Sequence, residues 1–128
     1  MLVYCTYCSS KKNRSSHILP AIKRYKSNRI SAIYKTAFSQ NIPMLILSGK
    51  HGLLNTQTPI HFYNYLLKAD DVDEHAEKVA EQLRGFGVKE IAFFTRSTER
   101  DPNISPYLDC MAKAADSLSL KINFIQIT

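Results

Sequence analysis

Between Met44 and Leu54 an unbroken apolar run, Met44-Leu45-Ile46-Leu47, gives way to Ser48-Gly49-Lys50-His51-Gly52, which sets a hydroxyl, a cation and an imidazole inside one short loop. His51 has the side chain whose ordinary pKa lies nearest neutrality, so it suits general acid or base work, and Lys50 can hold an anion. The competing reading is a tight turn with two surface side chains, His51 capping it. Two further polar loops carry related chemistry: Cys8-Ser9-Ser10-Lys11 and Thr95-Arg96-Ser97. Short hydroxyls, backbone donors and nearby Lys and Arg make a site for phosphate or carboxylate oxygens. Lys11 binds an anion or, if desolvated, acts as a nucleophile through a depressed pKa; anion contact is the favoured role and a solvated surface lysine the alternative. Tyr63 packs with a free hydroxyl or joins the site, and His17, His61 and His75 are expected at the surface. Neither Gly-x-Gly-x-x-Gly nor a Walker loop occurs, which argues against a dinucleotide or P-loop enzyme of the common kinds.

Cys5-Thr6-Tyr7-Cys8 has the spacing of a redox pair or of half a zinc site that His17, His51 or His61 would complete. No second ligand pair at regular spacing follows, so neither metal nor cofactor is expected, and the Cys-x-x-Cys redox protein ranks third among the readings. Three cysteines, Cys5, Cys8 and Cys110, cannot form a paired framework and fit a reducing compartment. Cys5 is expected in the core and Cys8 in the loop.

Elements must bring these loops together. Leu2 to Tyr7 is a β-rich run that stops at a polar segment, Cys8 to Ser16. Ser16 is a candidate cap for a short helix near Pro20 to Lys26. Ser27 caps a longer one, with Ile30, Ile33, Tyr34, Ala37 and Phe38 at helical spacing. Asn41-Ile42-Pro43 ends it, and Met44 to Ser48 is a strand apolar on both faces, as parallel sheets require. The aromatic segment Ile60 to Leu67 has no assignable period. Asp70 to Asp73 opens a helix carrying His75, Ala76, Val79, Ala80 and Leu83 up to Gly85 and Gly87. Val88 to Thr95 is the third strand. Ser105 caps a helix with Pro106 at its first position and Leu108, Met111, Ala112, Ala115 and Leu118 inward; Lys121 to Ile127 is the last strand.

This alternation argues for one α/β domain over residues 1–128, a three-layer sandwich around a mostly parallel four-stranded sheet of flavodoxin or Rossmann type. In such sheets ligands bind outside the carboxyl ends of the strands, where all three polar loops lie. The site expected there comprises His51 and Lys11 as catalytic candidates, with Cys8, Ser9, Ser10, Ser48, Gly49, Lys50, Gly52, Tyr63, Thr95 and Arg96 binding the ligand. Ser9, Lys11, Ser48, Lys50, His51 and Thr95 are expected around one concave pocket, with Gly49 and Gly52 letting the backbone approach the ligand.

The 128 residues are 45% hydrophobic with a formal net charge of +6, enough for one core and biased toward anionic partners. No apolar stretch reaches the length of a membrane span and no signal peptide is recognisable, so a cytoplasmic protein without a membrane partner is expected. The densest basic segment, Lys11-Lys12-Asn13-Arg14 with Lys23-Arg24-Tyr25-Lys26, lies in the first quarter and makes nucleic acid a possible partner.

Cys8-Ser9-Ser10-Lys11-Lys12, Leu47 to Leu53 and Tyr63 to Leu67 resemble, in order and approximate spacing, a family of small bacterial and phage domains of unknown function. That family has a Cys-Ser-x-Lys-Lys loop, a Leu-Ser-Ala-Lys-His-Gly-Leu segment and a downstream Tyr-x-x-x-Leu. Leu47-Ser48-Gly49-x-x-Gly52-Leu53-Leu54 also resembles the Leu-Ser-Gly-x-x-Gly-Leu-Leu segment of the YaaA-type peroxide-stress family, and the cysteine loop resembles the opening of the archaeosine synthase core domain, which modifies a tRNA base. These resemblances imply a DNA-damage, peroxide-stress or nucleic-acid-modifying context. The residues themselves favour binding of a nucleotide, nucleobase or other anionic small molecule, with transferase or hydrolase chemistry. The rival is a noncatalytic nucleic-acid-binding module.

Overall fold

The structure, a computed structural model, describes residues 1–127. In chain order the elements are β1 (Leu2–Tyr7), β2 (Leu19–Pro20), α1 (Ala21–Arg24), α2 (Asn28–Gln40), β3 (Met44–Ser48), β4 (Gly52–Asn55), β5 (Pro59–Ile60), α3 (Val72–Phe86), β6 (Glu90–Thr95), α4 (Ser105–Ser117) and β7 (Lys121–Gln126). The fold is α/β. Five strands form one sheet in the order β4-β3-β1-β6-β7, while β2 and β5 make a separate short pair. The four strands read from the sequence are present, and β1 pairs in parallel with β3 and β6, as β6 does with β7.

The sheet has five strands where four were expected, and the added one comes from the glycine loop itself. Gly52 takes φ +75°, a left-handed conformation open to glycine at little cost, and turns the chain back on β3. Gly52–Asn55 then pairs antiparallel with it, from Ser48↔Gly52 to Leu45↔Asn55. A Cβ on Gly52 would also run into the Gln82 carboxamide, whose Oε1 accepts the Leu53 amide at 2.7 Å. Leu53-Leu54 is too short an apolar pair to announce a strand without its partner.

Burial explains the remaining elements. Every residue of β3 is buried, as a strand covered on both faces must be. Ser27 Oγ accepts the Ile30 amide at 3.2 Å and caps α2, whose Ile30, Ile33 and Ala37 face inward. Phe38 does not share that stripe: it is 77% exposed and leans on Tyr34, because one step beyond Ala37 turns about 100° around the helix. α1 is shorter than expected and begins after Pro20 without a Ser16 cap, since Tyr25 leaves the helix to form a bridge with Lys12. Ser105 opens α4 without capping it. Asp101 instead accepts the Asn103 amide at 3.2 Å, starting a 3-10 turn over Pro102–Ile104 that leads into the helix. Ala112 points outward from α4, while Met111 and Ala115 are buried.

Alternation along β1 separates the two faces of the sheet. Tyr4 donates to Gln40 Oε1 at 2.5 Å and Thr6 Oγ1 receives the Arg29 guanidinium, so the even residues meet α2. Tyr7 meets Tyr107 of α4 on the other face, with ring centroids 6.2 Å apart, and α4 packs against α3. The chain therefore leaves β1 and its neighbour β6 toward opposite faces, and a crevice opens between their carboxyl ends.

Candidate functional site

After β1 the chain runs through Cys8 to Lys12 and is pinned there by backbone bonds. Lys26 N donates to Lys11 O at 2.9 Å and Asn13 N to Arg24 O at 2.7 Å, flanking the Lys12–Tyr25 bridge. Arg24, fully buried, gathers four carbonyl oxygens from this region: Asn13 at 2.7 Å, Ser15 at 3.1 Å, His17 at 2.6 Å and Ile60 at 3.1 Å. A polar segment with no hydrophobic period is thus held by one guanidinium whose charge is spread over carbonyl dipoles.

Between this loop, the start of α2 and the chain after β6 lies a cleft of about 420 Å³. Its cationic lining residues are Lys11, Lys12, Lys26, Arg29 and Arg96, against the single carboxylate of Asp101; Cys8, Ser9, Ser10, Ser27 and Asn28 add polar groups. The first amides of α2, at Asn28 and Arg29, have no carbonyl one turn back to accept them within the helix. Arg29 is buried with its guanidinium donating to Thr6 Oγ1, to Tyr7 O at 2.9 Å and to Cys8 O at 3.3 Å, 3.8 Å above the Tyr7 ring. Burial lowers its pKa, with the nearby Arg96 adding to the effect.

Lys12, not Lys11, is the enclosed lysine. Lys11 is exposed, whereas Lys12 is 8% exposed, with its ammonium 4.7 Å from the Tyr63 ring centroid and 5.8 Å from that of Tyr25. No carboxylate pairs with it among the described residues. Burial holds its pKa below the ordinary lysine value, opposed by Cys8. The one-residue offset follows from the bridge with Tyr25, since neighbours along an extended chain face opposite sides.

A chain of hydroxyls lies beneath. Ser48 is fully buried, and its Oγ accepts the amides of Lys50 at 3.1 Å and His51 at 3.0 Å. Its own proton therefore goes to the Tyr63 hydroxyl, 2.9 Å away, which meets the Tyr25 hydroxyl at 2.5 Å. Tyr63 is thus bonded, not free as expected, and burial pushes the pKa of both phenols up. His75 is also buried, not at the surface: its Nε2–H donates to Ser48 O at 2.8 Å and ties α3 to the end of β3. His51 stands edge-on to Tyr63 with centroids 5.2 Å apart, and its buried Nε2 has no partner among the described residues. Burial, Lys50 and Lys78 lower its pKa and so favour the neutral imidazole.

The expected single pocket is two clefts. A second one, of about 350 Å³, is lined by Gly49, Lys50, Leu67 and His75 with the mixed charges of Asp71, Glu74 and Lys78. Tyr65 borders both and donates to Asp71 Oδ2 at 2.6 Å, so the irregular segment 61–68 stands as a ridge between them. Cys8, Ser9, Ser10, Lys11 and Arg96 line the first cleft; Gly49 and Lys50 line the second. Ser48 and Tyr63 are buried, Thr95 turns its hydroxyl onto Arg96 O at 2.8 Å, and His51 and Gly52 line neither cleft. Gly49 has no positive φ. A Cβ there would stand 2.9 Å from Tyr107 Oη and 3.1 Å from Leu67 N, so its close approach is to the protein's own chain and not to a ligand.

Lys12, Tyr25, Arg29, Tyr107 and His75 were not read from the sequence as site residues. Arg29 did leave a signal: a cation in the first turn opposes the helix dipole, and that turn carries no acid. The Cys-x-x-Cys spacing reflects strand geometry, since residues three apart in an extended chain lie roughly 10 Å apart, beyond disulfide reach. Cys5 and Cys110 are buried free thiols, and burial pushes Cys110 up to about 12 and Cys5 higher still.

Neither the curated proteins nor the solved structures contain a match to this chain. A family model does match, over residues 3–117, which runs from the second residue of β1 through α4, the cleft included. The chain belongs to that family, described as a family of unknown function (DUF6884).

Proposed function

We propose that the protein binds a phosphorylated small molecule, of nucleotide or similar size, in the cleft between the carboxyl ends of β1 and β6. The observation that carries this reading is the charge of the lining: five cationic side chains against one carboxylate, beside the first turn of a thirteen-residue helix. Buried or clustered cations repel one another unless an anion joins them, and helix N-terminal amides favour phosphate oxygens. Position supports it too. We read the parallel part of the sheet, β3-β1-β6-β7, as the strand order of flavodoxin-like proteins, in which ligands bind at this switch point. One α/β domain working in the cytoplasm, as a transferase or hydrolase, completes the reading. No described helix is long and apolar enough to cross a membrane.

A thermal-shift series with inorganic phosphate, pyrophosphate, nucleotides and free nucleobases tests it. Ligand at 100 times its Kd adds about 2.7 kcal/mol of apparent stability. Phosphorylated ligands should raise the Tm of the native chain and lose that effect in Arg96→Ala and Lys11→Ala. No shift with any phosphate, or shifts that survive both substitutions, would overturn the reading.

A second reading has its own observation. Phe62 and Tyr65 are 38% and 43% exposed, Tyr65 lines the cleft, and the Arg14 guanidinium lies 5.4 Å from the Phe62 ring. Cations interleaved with open aromatic faces suit single-stranded nucleic acid. Tight, strongly salt-dependent oligonucleotide binding, with weak binding of mononucleotides, would favour it.

A further inference from the structure

Building on the anion-binding reading, we infer that Lys12 is a nucleophilic amine, and that the ligand held in this cleft carries a carbonyl group as well as its phosphate. Of the five cations lining the cleft, the two buried ones are held in opposite ways. The Arg29 guanidinium is committed to Thr6, Tyr7 and Cys8 oxygens. Lys12 meets the faces of Tyr63 and Tyr25 with the Cys8 thiol nearby, and has no carboxylate partner among the described residues. A solvated lysine binds phosphate as a point charge; a desolvated one gives up its proton readily and becomes a nucleophile. The exposed Lys11, Lys26 and Arg96 can take the phosphate, leaving Lys12 for the electrophile.

Chemistry narrows the electrophile. The Lys12 Nζ lone pair adds to a carbonyl carbon as the C–O π bond breaks, and one nitrogen proton passes to that oxygen, giving a carbinolamine. The C–O bond then breaks as the hydroxyl leaves with the second nitrogen proton as water, which leaves an imine. No oxidant, reductant or second substrate enters the balance. The two rings exclude water on one side of the amine and fix its direction of approach, as a near-attack arrangement requires.

Pyridoxal 5′-phosphate joins an aldehyde to a phosphate and serves as the probe. The native chain is incubated with it, reduced with borohydride and mapped by peptide mass spectrometry, with plain pyridoxal in parallel. The inference expects the adduct on Lys12, suppressed by inorganic phosphate and weaker with pyridoxal. Lys12→Met should lose the adduct while keeping its Tm, and Lys35→Met, on the exposed side of α2, should keep it. Adducts spread over surface lysines, or undiminished in Lys12→Met, overturn the inference. Calorimetric titration of Lys12→Met with phosphate separates the two claims. If phosphate binds but Lys12 is not labelled, the imine falls and the anion site stands. If Lys12 is labelled equally by pyridoxal and phosphate does not bind, the anion site falls and the reactive amine stands.

Discussion

Replacing Tyr63 by Phe removes one oxygen from the middle of the buried hydroxyl chain and leaves the ring against His51 and Lys12. Two bonds disappear, to Ser48 at 2.9 Å and to Tyr25 at 2.5 Å. Each is worth about 1 kcal/mol net, and a buried hydroxyl left unpaired costs about 1–3 kcal/mol. Ser48 Oγ already accepts both amides of the turn, and with the Tyr63 hydroxyl gone no other partner for its own hydroxyl remains among the described residues, so its proton is stranded. With the Tyr25 bond counted once and the stranded Ser48 hydroxyl counted in place of its bond, the sum is roughly 2–4 kcal/mol of lost stability. At roughly 4 °C per kcal/mol for a chain of this size, Tm should fall by roughly 8–16 °C. Urea unfolding followed by circular dichroism should show a lower midpoint with an unchanged m value. Tyr25→Phe and the double variant complete a cycle, in which the two losses should fall short of additivity by at least about 0.5 kcal/mol. A loss under about 0.5 kcal/mol for Tyr63→Phe, or strict additivity, would refute the bonded chain.

Leu47→Ala, at a fully buried site, should cost roughly 2–5 kcal/mol in the same assay. Gly52→Ala puts a Cβ on a left-handed residue and against Gln82, so it should lose about 1–3 kcal/mol and fray the β3–β4 pairing in hydrogen exchange. The folded state holds the pKa of His51 below its ordinary 6.5, so the unfolded chain binds the proton more readily. The stability this contributes is complete above pH 6.5 and is lost as pH falls toward the folded value; His51→Gln should flatten that acid limb of a Tm-against-pH curve. Cys5 and Cys110 should resist thiol reagents in the native chain at pH 8 and react on unfolding, since burial suppresses their thiolates.

The parallel strands were legible because each is a short apolar run ending in polar residues, and α2 and α3 because their apolar spacing and closing signals agree. The β4 hairpin was not, since Leu53-Leu54 gains its meaning only once the Gly52 turn lays it against β3. In the candidate site the three strand-end loops could be read, but not which of their side chains face the cleft. The sequence places Lys11 and Lys12 side by side; a single bridge to Tyr25 decides which is enclosed. His51 and Ser48 sit in the most conspicuous motif, yet that motif closes a hairpin and anchors a hydroxyl chain. Tyr25, Tyr107 and His75 lie far from it along the chain, and only the fold brings them there.

Titration of the isotope-labelled protein with pyrophosphate, followed by amide chemical shifts, tests the central claim most directly. A phosphate site at the switch point predicts saturable shifts concentrated at Ser9 to Lys12, at Asn28 and Arg29, and at Arg96, which persist at physiological ionic strength. Shifts scattered over the basic surface, at Lys23, Lys35 or Lys78 as much as in the cleft, and abolished by salt, would contradict it.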